Sequence, residues 1–398
     1  MHEATRTILF VNAAHLITHY ALLILPTAVL GMEGAFGGAE YGGIVTLGTA
    51  MFAVYGLGSL PVGWLAGRFG EARMLAACLL GGGLALVACG LAVSPTTFAV
   101  ALAVTGAFLA IYHPVGTAML VEAAGERVGR AIGLNGVFGN LGVSLAPLAT
   151  AFVTAGFGWR AAFVAPGLVC AAIGLLYVFG PKGDVSATKR PHALFPDVPR
   201  AVAIRAFVVL TLIAVTNGLM FNAVTILLPK FLEERLAGEA GALGLIGLVA
   251  FAVSISGAVT QFSVGRLADR VSLRALFLGL SMLGLPLMLG LIAARGWATV
   301  PVSALVVASV FGQVTVNEAM LARTVPPAFR ARAYAVRFFV GFLGSAAAAP
   351  LVGLLHARTG DMRAALWVLA AAAALTAAFA LGFPRLASAE APRPAPAE

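Results

Sequence analysis

Two histidines stand four residues apart, His15 and His19, inside the apolar stretch NAAHLITHYALLILP at 12–26. Residues at i and i+4 share a helix face. Asn12, seven before His19, extends that face. An imidazole titrates near neutrality, so such a pair can take and release protons. A third imidazole lies in another apolar run, His113 in IYHPVGTAML, and the proline after it can kink a helix. Further along come Asn217 and Asn222 in one apolar run, then Gln313, Asn317 and Glu318 in another. Ionised Arg, Lys or Asp costs about 2.5–3.5 kcal/mol at the centre of a membrane helix, so polar residues at that depth are candidates for function. These eight are the candidate substrate or proton pathway. Asn135 and Asn140 are expected to bond between helices instead.

The elements that must position them follow from composition. Of 398 residues, 61% are hydrophobic and 10% charged. A soluble chain is nearer about 45–50% apolar and 25% charged. A helix needs about 20 mostly apolar residues to cross a bilayer. Windows of that kind fall at roughly 6–32, 42–66, 74–94, 97–123, 130–155, 160–180, 204–233, 243–266, 274–294, 298–323, 332–355 and 363–383. The expected fold is an all-α membrane protein of twelve transmembrane helices in two six-helix, pseudo-symmetric halves. Span one would place His19 near the midplane and His15 one turn closer to the cytoplasm.

The net charge of +9 would suggest nucleic acid in a soluble protein. Here the lysines and arginines gather on one side of the membrane. With both termini inside, only Arg160, Lys230, Arg235, Arg295, Arg358 and Arg363 fall outside. That bias predicts cytoplasmic termini in a multi-pass protein of the inner membrane, and nucleic acid is excluded as a partner. Cys78, Cys89 and Cys170 lie in apolar runs with no zinc or disulfide spacing.

A shift of about 203 residues lays like on like. LILPTAV (23–29) falls over ILLPKFL (226–232), Pro26 over Pro229, Pro147 over Pro350 and His19 over Asn222. The chain therefore divides into a first half at 1–180, a cytoplasmic linker at 181–203, a second half at 204–383 and an Ala/Pro-rich tail at 384–398, read as disordered. Parallel repeats of this kind are a transporter architecture with substrate bound near the midplane.

Three sets of residues resemble the major facilitator superfamily. Gly265, Leu267, Ala268, Asp269 and Arg270 match its loop signature after the second span of a half. In the first half Gly63, Leu65, Ala66, Arg68 and Gly70 match, with Gly67 where the acid is expected. The resemblance implies a cytoplasmic gate built from Gly63, Arg68, Gly265, Asp269 and Arg270, with Asp269 and Arg270 carrying more of it. Gly133, Gly142 and Pro147 are similar to an antiporter signature in span five, with Ala146, Thr150 and Ala151 replacing glycines. Small residues there let helices approach closely. AHLITH, IYHPVGTAML and GNLGVSLAPL resemble the fosmidomycin-resistance-like exporters, although Val115 replaces that group's glutamate. In such a fold spans one and four face the central cavity, which implies that the three histidines converge.

No Walker run, His-Glu-x-x-His or Gly-x-Ser-x-Gly elbow occurs. The chain is read as a secondary transporter and not an enzyme. The leading expectation is a proton-coupled exporter of a small molecule. The second is an importer of a small organic anion or a metal complex. The expected partners are substrate, protons and the lipid bilayer, and the chain is read as a monomer. No cofactor is assigned. No metal is assigned either, because imidazole alone selects no ion and no Cys or Met cluster accompanies the pair.

Overall fold

The computed structural model describes residues 3–32, 34–38, 40–124, 128–180, 199–236, 242–268, 271–325 and 327–384. Among them all regular structure is helical. Twelve helical spans are long and apolar enough to cross a membrane, from Ala4–Gly31 to Arg363–Leu381. The first six spans are built from α1 (Glu3–Leu22) with α2 (Leu25–Ala28), α3 (Tyr41–Phe69), α4 (Glu71–Leu91), α5 (Pro95–Leu109) with α6 (Tyr112–Ala124), α7 (Val128–Phe157) and α8 (Trp159–Phe179). The last six are α9 (Arg200–Arg235), α10 (Leu243–Leu267), α11 (Leu273–Ala293), α12 (Thr299–Thr324), α13 (Pro327–Ala346) with α14 (Ala348–Thr359), and α15 (Arg363–Leu381). Residues 200–203, expected in the linker, form the first turn of α9. The rest of the linker before 199, and the tail beyond 384, lie outside the described residues.

Three spans are broken, and each break has the same cause. A proline ring collides with the carbonyl four residues earlier and offers it no N–H. Pro26, Pro114 and Pro350 stand four residues after Leu22, Ala110 and Ala346. At those points α1 ends, α5 gives way to a turn, and α13 ends. The second break sets His113 in the first turn of α6. Pro229, the repeat partner of Pro26, leaves α9 continuous.

Packing within the two halves corresponds. In the first half α1 lies on α7, α3 on α5 and α4 on α8; in the second α9 lies on α13, α10 on α12 and α11 on α15. These are the same pairs of spans, which is the pseudo-symmetry expected from the repeat. Across the seam between halves α3 meets α13 and α14, and α7 meets α10.

The seam is closed at one end only. Residues seven apart on a helix fall on nearly one stripe. On α3 that stripe holds Gly42, Gly56 and Gly63. A methyl at Gly42 would strike the Gly353 carbonyl and Ala357 of α14, and one at Gly56 would press on Phe342 of α13. At Gly63 it would meet nothing within 4 Å. On α7 the stripe holds Pro147, Asn140 and Gly133. The Pro147 carbonyl abuts Gly247 of α10. Asn140 donates a hydrogen bond to Gln261 of α10. Around Gly133 there is open space. Gly265, one turn beyond Gln261, is equally open. Among the described residues the halves therefore touch on the side away from the chain termini and part on the side that carries them.

Candidate functional site

α1 and α6 lie against one another, α6 beginning just after the break that Pro114 causes. One nitrogen from each of His15, His19 and His113 lies within 4.8 Å of the other two. Their ring centroids are 4.9 Å apart for His15 and His19, and 5.4 Å from His113 to either. The expected convergence is present, and its supports are visible. Tyr112 stacks on His15 with centroids 4.8 Å apart and planes 22° from parallel. The Nδ1 of His15 is 2.7 Å from the Asn135 carbonyl of α7. A carbonyl only accepts, so Nδ1 carries the hydrogen and a neutral His15 keeps its lone pair on Nε2. The side chain of Asn135 is held in turn, donating to Asn12 at 2.8 Å and to the Tyr112 hydroxyl at 2.9 Å. Asn12, Asn135 and Tyr112 are buried and mutually bonded, which removes the cost of placing them at membrane depth.

The cluster sits at the level where the seam parts. The ring of Tyr55 on α3 is 6.4 Å from His113 and 5.3 Å from Phe342 of the second half. His19 and His113 both retain partial exposure. Three imidazoles in such a place can hold protons, bind an anion through N–H groups, or offer lone pairs to a metal ion.

The candidates of the second half do not gather. Asn217 and Gln313 line one cavity of about 10 Å³ with Ser281 and Thr376, and Gln313 donates to Ser281 at 2.8 Å. That volume suits about one water molecule. Asn317, one turn from Gln313 on α12, is wholly buried, and neither of its amide atoms has a partner among the described residues. Asn222 is engaged elsewhere, donating to the Gly218 carbonyl at 3.1 Å and to Ser345 of α13 at 2.8 Å. Glu318 forms an ion pair with Arg337, which is 6% exposed. The four amides thus fall into three separate arrangements. Helix periodicity shows which face a residue is on, but not whether a neighbour already satisfies it.

Of the residues expected at the gate, three fall among the described residues. Gly63 and Gly265 face open space. Arg68 is exposed, with its guanidinium 5.8 Å from the rings of Trp64 and Phe69 on its own helix. Asp269 and Arg270 lie outside the described residues. Of the span-five set, Gly142 meets the Leu16 carbonyl and the Tyr20 nitrogen of α1, and Pro147 packs on Gly247. At Gly133 a methyl would meet nothing within 4 Å among the described residues. Asn135 and Asn140 do bond between helices.

Sequence reasoning missed Tyr112 and Tyr55, which frame the cluster, and Tyr41, which closes the far side. The ring of Tyr41 lies 4.7 Å from His356 and 5.4 Å from the Lys230 ammonium, both of the other half. A tyrosine in an apolar run carries no signal of its own. Only the position of Tyr112 beside His113 could have drawn attention.

The comparisons agree with this geometry. No curated protein sequence matches the chain. A solved D-xylose–proton symporter superposes with a TM-score of 0.76 at 13% identity, covering 94% of this chain and 97% of that one. A bacterial homologue of the human lysosomal transporter Spinster, solved inward-facing and unoccupied, gives 0.72 at 14% identity, covering 96% and 95%. Its occupied inward-facing form gives the same values. At these identities the likeness shows the fold. The family model described as Major Facilitator Superfamily matches residues 9–245 and 236–398. The chain belongs to the Major Facilitator Superfamily and is a multi-pass membrane transporter, not an enzyme.

Proposed function

We propose that the chain exports a small organic compound across the inner membrane in exchange for protons, by alternating access between its two halves. One observation carries this reading: the seam is sealed on one side and parted on the other, with three imidazoles at the level between. The Lys/Arg bias makes the open side cytoplasmic, with both termini there. Substrate enters from that side and meets His15, His19 and His113, with Asn217, Gln313 and Asn317 across the bundle. Asn222 and Glu318 support the second half through Ser345 and Arg337. Closure then brings Gly63, Gly133 and Gly265 against their opposite helices, with Arg68, Asp269 and Arg270 forming the gate. The Gly42–Gly353 and Tyr41–His356 contacts part in the same movement. The halves that move are residues 1–180 and 200–383, joined by the linker between them. Resemblance to the fosmidomycin-resistance-like exporters supports the outward direction.

The test begins with purified protein. A ligand that binds the folded state raises its melting temperature. Compounds found in that way are then loaded into proteoliposomes. The expected result is flux that follows an imposed pH gradient and collapses with a protonophore. Flux of a confirmed substrate that ignored the gradient would remove proton exchange from the account.

A further inference from the structure

We infer that His15, His19 and His113 form a binding site for a borderline divalent metal ion that arrives paired with an anion. Three features carry this. First, the three nitrogens already lie within 4.8 Å of one another. A tetrahedral ion with metal–nitrogen bonds of about 2.0–2.1 Å needs them at roughly 3.4 Å, a gap that side-chain rotation closes. Secondly, the surroundings are those of a ligand and not of a loose ring. A metal-binding histidine characteristically donates its second nitrogen's hydrogen to a carbonyl, which fixes tautomer and orientation. His15 does so to Asn135 at 2.7 Å, with Tyr112 stacked on its face. Thirdly, the donor set is all imidazole. That suits zinc, copper or nickel and disfavours magnesium or calcium.

The anion follows from charge. No carboxylate or thiolate joins the three histidines among the described residues. A divalent cation held by neutral ligands at membrane depth is uncompensated, and burying such a charge is costly. Three protein ligands also leave a tetrahedral ion one open position. An anionic oxygen in that position completes the coordination and offsets the charge. A nitrogen bound to the ion carries no proton, so ion and proton exclude each other there. The inference concerns binding alone and holds whatever the direction or coupling of transport.

The probe is Co2+ added to the purified full-length protein in detergent, first alone and then with acetate. The expected result is one ion per chain, with the intense visible absorption of four-coordinate cobalt, and bands that move when acetate is added. His19→Gln and His113→Gln keep the side-chain volume and should each weaken binding by at least about tenfold. His356→Gln should leave binding unchanged, since His356 is paired with Glu234 at 2.9 Å, away from the cluster. Substoichiometric cobalt, or binding untouched by His19→Gln and His113→Gln in variants that keep the parent's melting temperature, would overturn the site. Bands indifferent to acetate would overturn the anion.

Discussion

His19 and Asn222 occupy the same place in the two repeats and have opposite surroundings. His19 lies against two other imidazoles and keeps partial exposure. Asn222 spends its amide on the Gly218 carbonyl and Ser345, both in its own half. The scaffold position is shared, but one copy is open to a ligand and the other ties two helices together. Duplication fixes where a side chain stands, while the neighbouring helix decides whether it is free to act. In the account above the first half therefore holds the chemistry, and the second half is the partner that moves against it.

The largest effect should come from breaking the open copy. His19→Ala and His113→Ala should lower transport by about 100-fold or more, the scale of a lost acid–base group, with little change in melting temperature. Flux assays paired with thermal unfolding check this, and equal losses of flux in Asn222→Ala would erase the contrast between halves. Next comes the charge in the second half. Glu318→Gln strands the Arg337 guanidinium, which is 6% exposed. The Glu318 side chain is 34% exposed, so losing this charge-assisted hydrogen bond costs about 1.5 kcal/mol, which would show as a lower unfolding midpoint and poorer yield.

A third test stays on one helix. Leucine at Gly142 would strike the Leu16 carbonyl of α1, an overpacking worth about 1–3 kcal/mol. Leucine at Gly133 meets open space in this conformation. It should leave the unfolding midpoint within the error of the parent and yet stop transport, because closure needs that space. Loss of stability at Gly133 would mean that the seam is not open there. The smallest effect belongs to the closed copy. Asn222→Ala should cost about 0.6 kcal/mol, the average for a hydrogen bond between membrane helices, with flux within about twofold of the parent.

Much of this was legible in the sequence because the bilayer imposes long apolar helices. The twelve spans, the repeat and the i,i+4 histidines follow from length and periodicity. His113 could be placed with them only through the family resemblance, since nothing in IYHP shows distance to span one. The separation of the amides was not legible. Asn222 and Asn317 have the same side chain, yet Asn222 has a serine opposite and Asn317 has no partner among the described residues. The seam was illegible for a different reason. Gly42, Gly63 and Gly133 are all glycines in apolar runs, and only coordinates reveal that the first is pressed against a backbone and the others face space.

Alternating access requires that the two ends of the seam open and close in opposition. Spin labels at Ala72 and Val271 would report the terminus side, and labels at Glu40 and Thr359 the far side, all four exposed, in a chain whose three buried cysteines are replaced. The expected result is two distance populations for each pair, with ligand or pH shortening one pair as it lengthens the other. A single distance for each pair under all conditions, in protein that still transports, would contradict it.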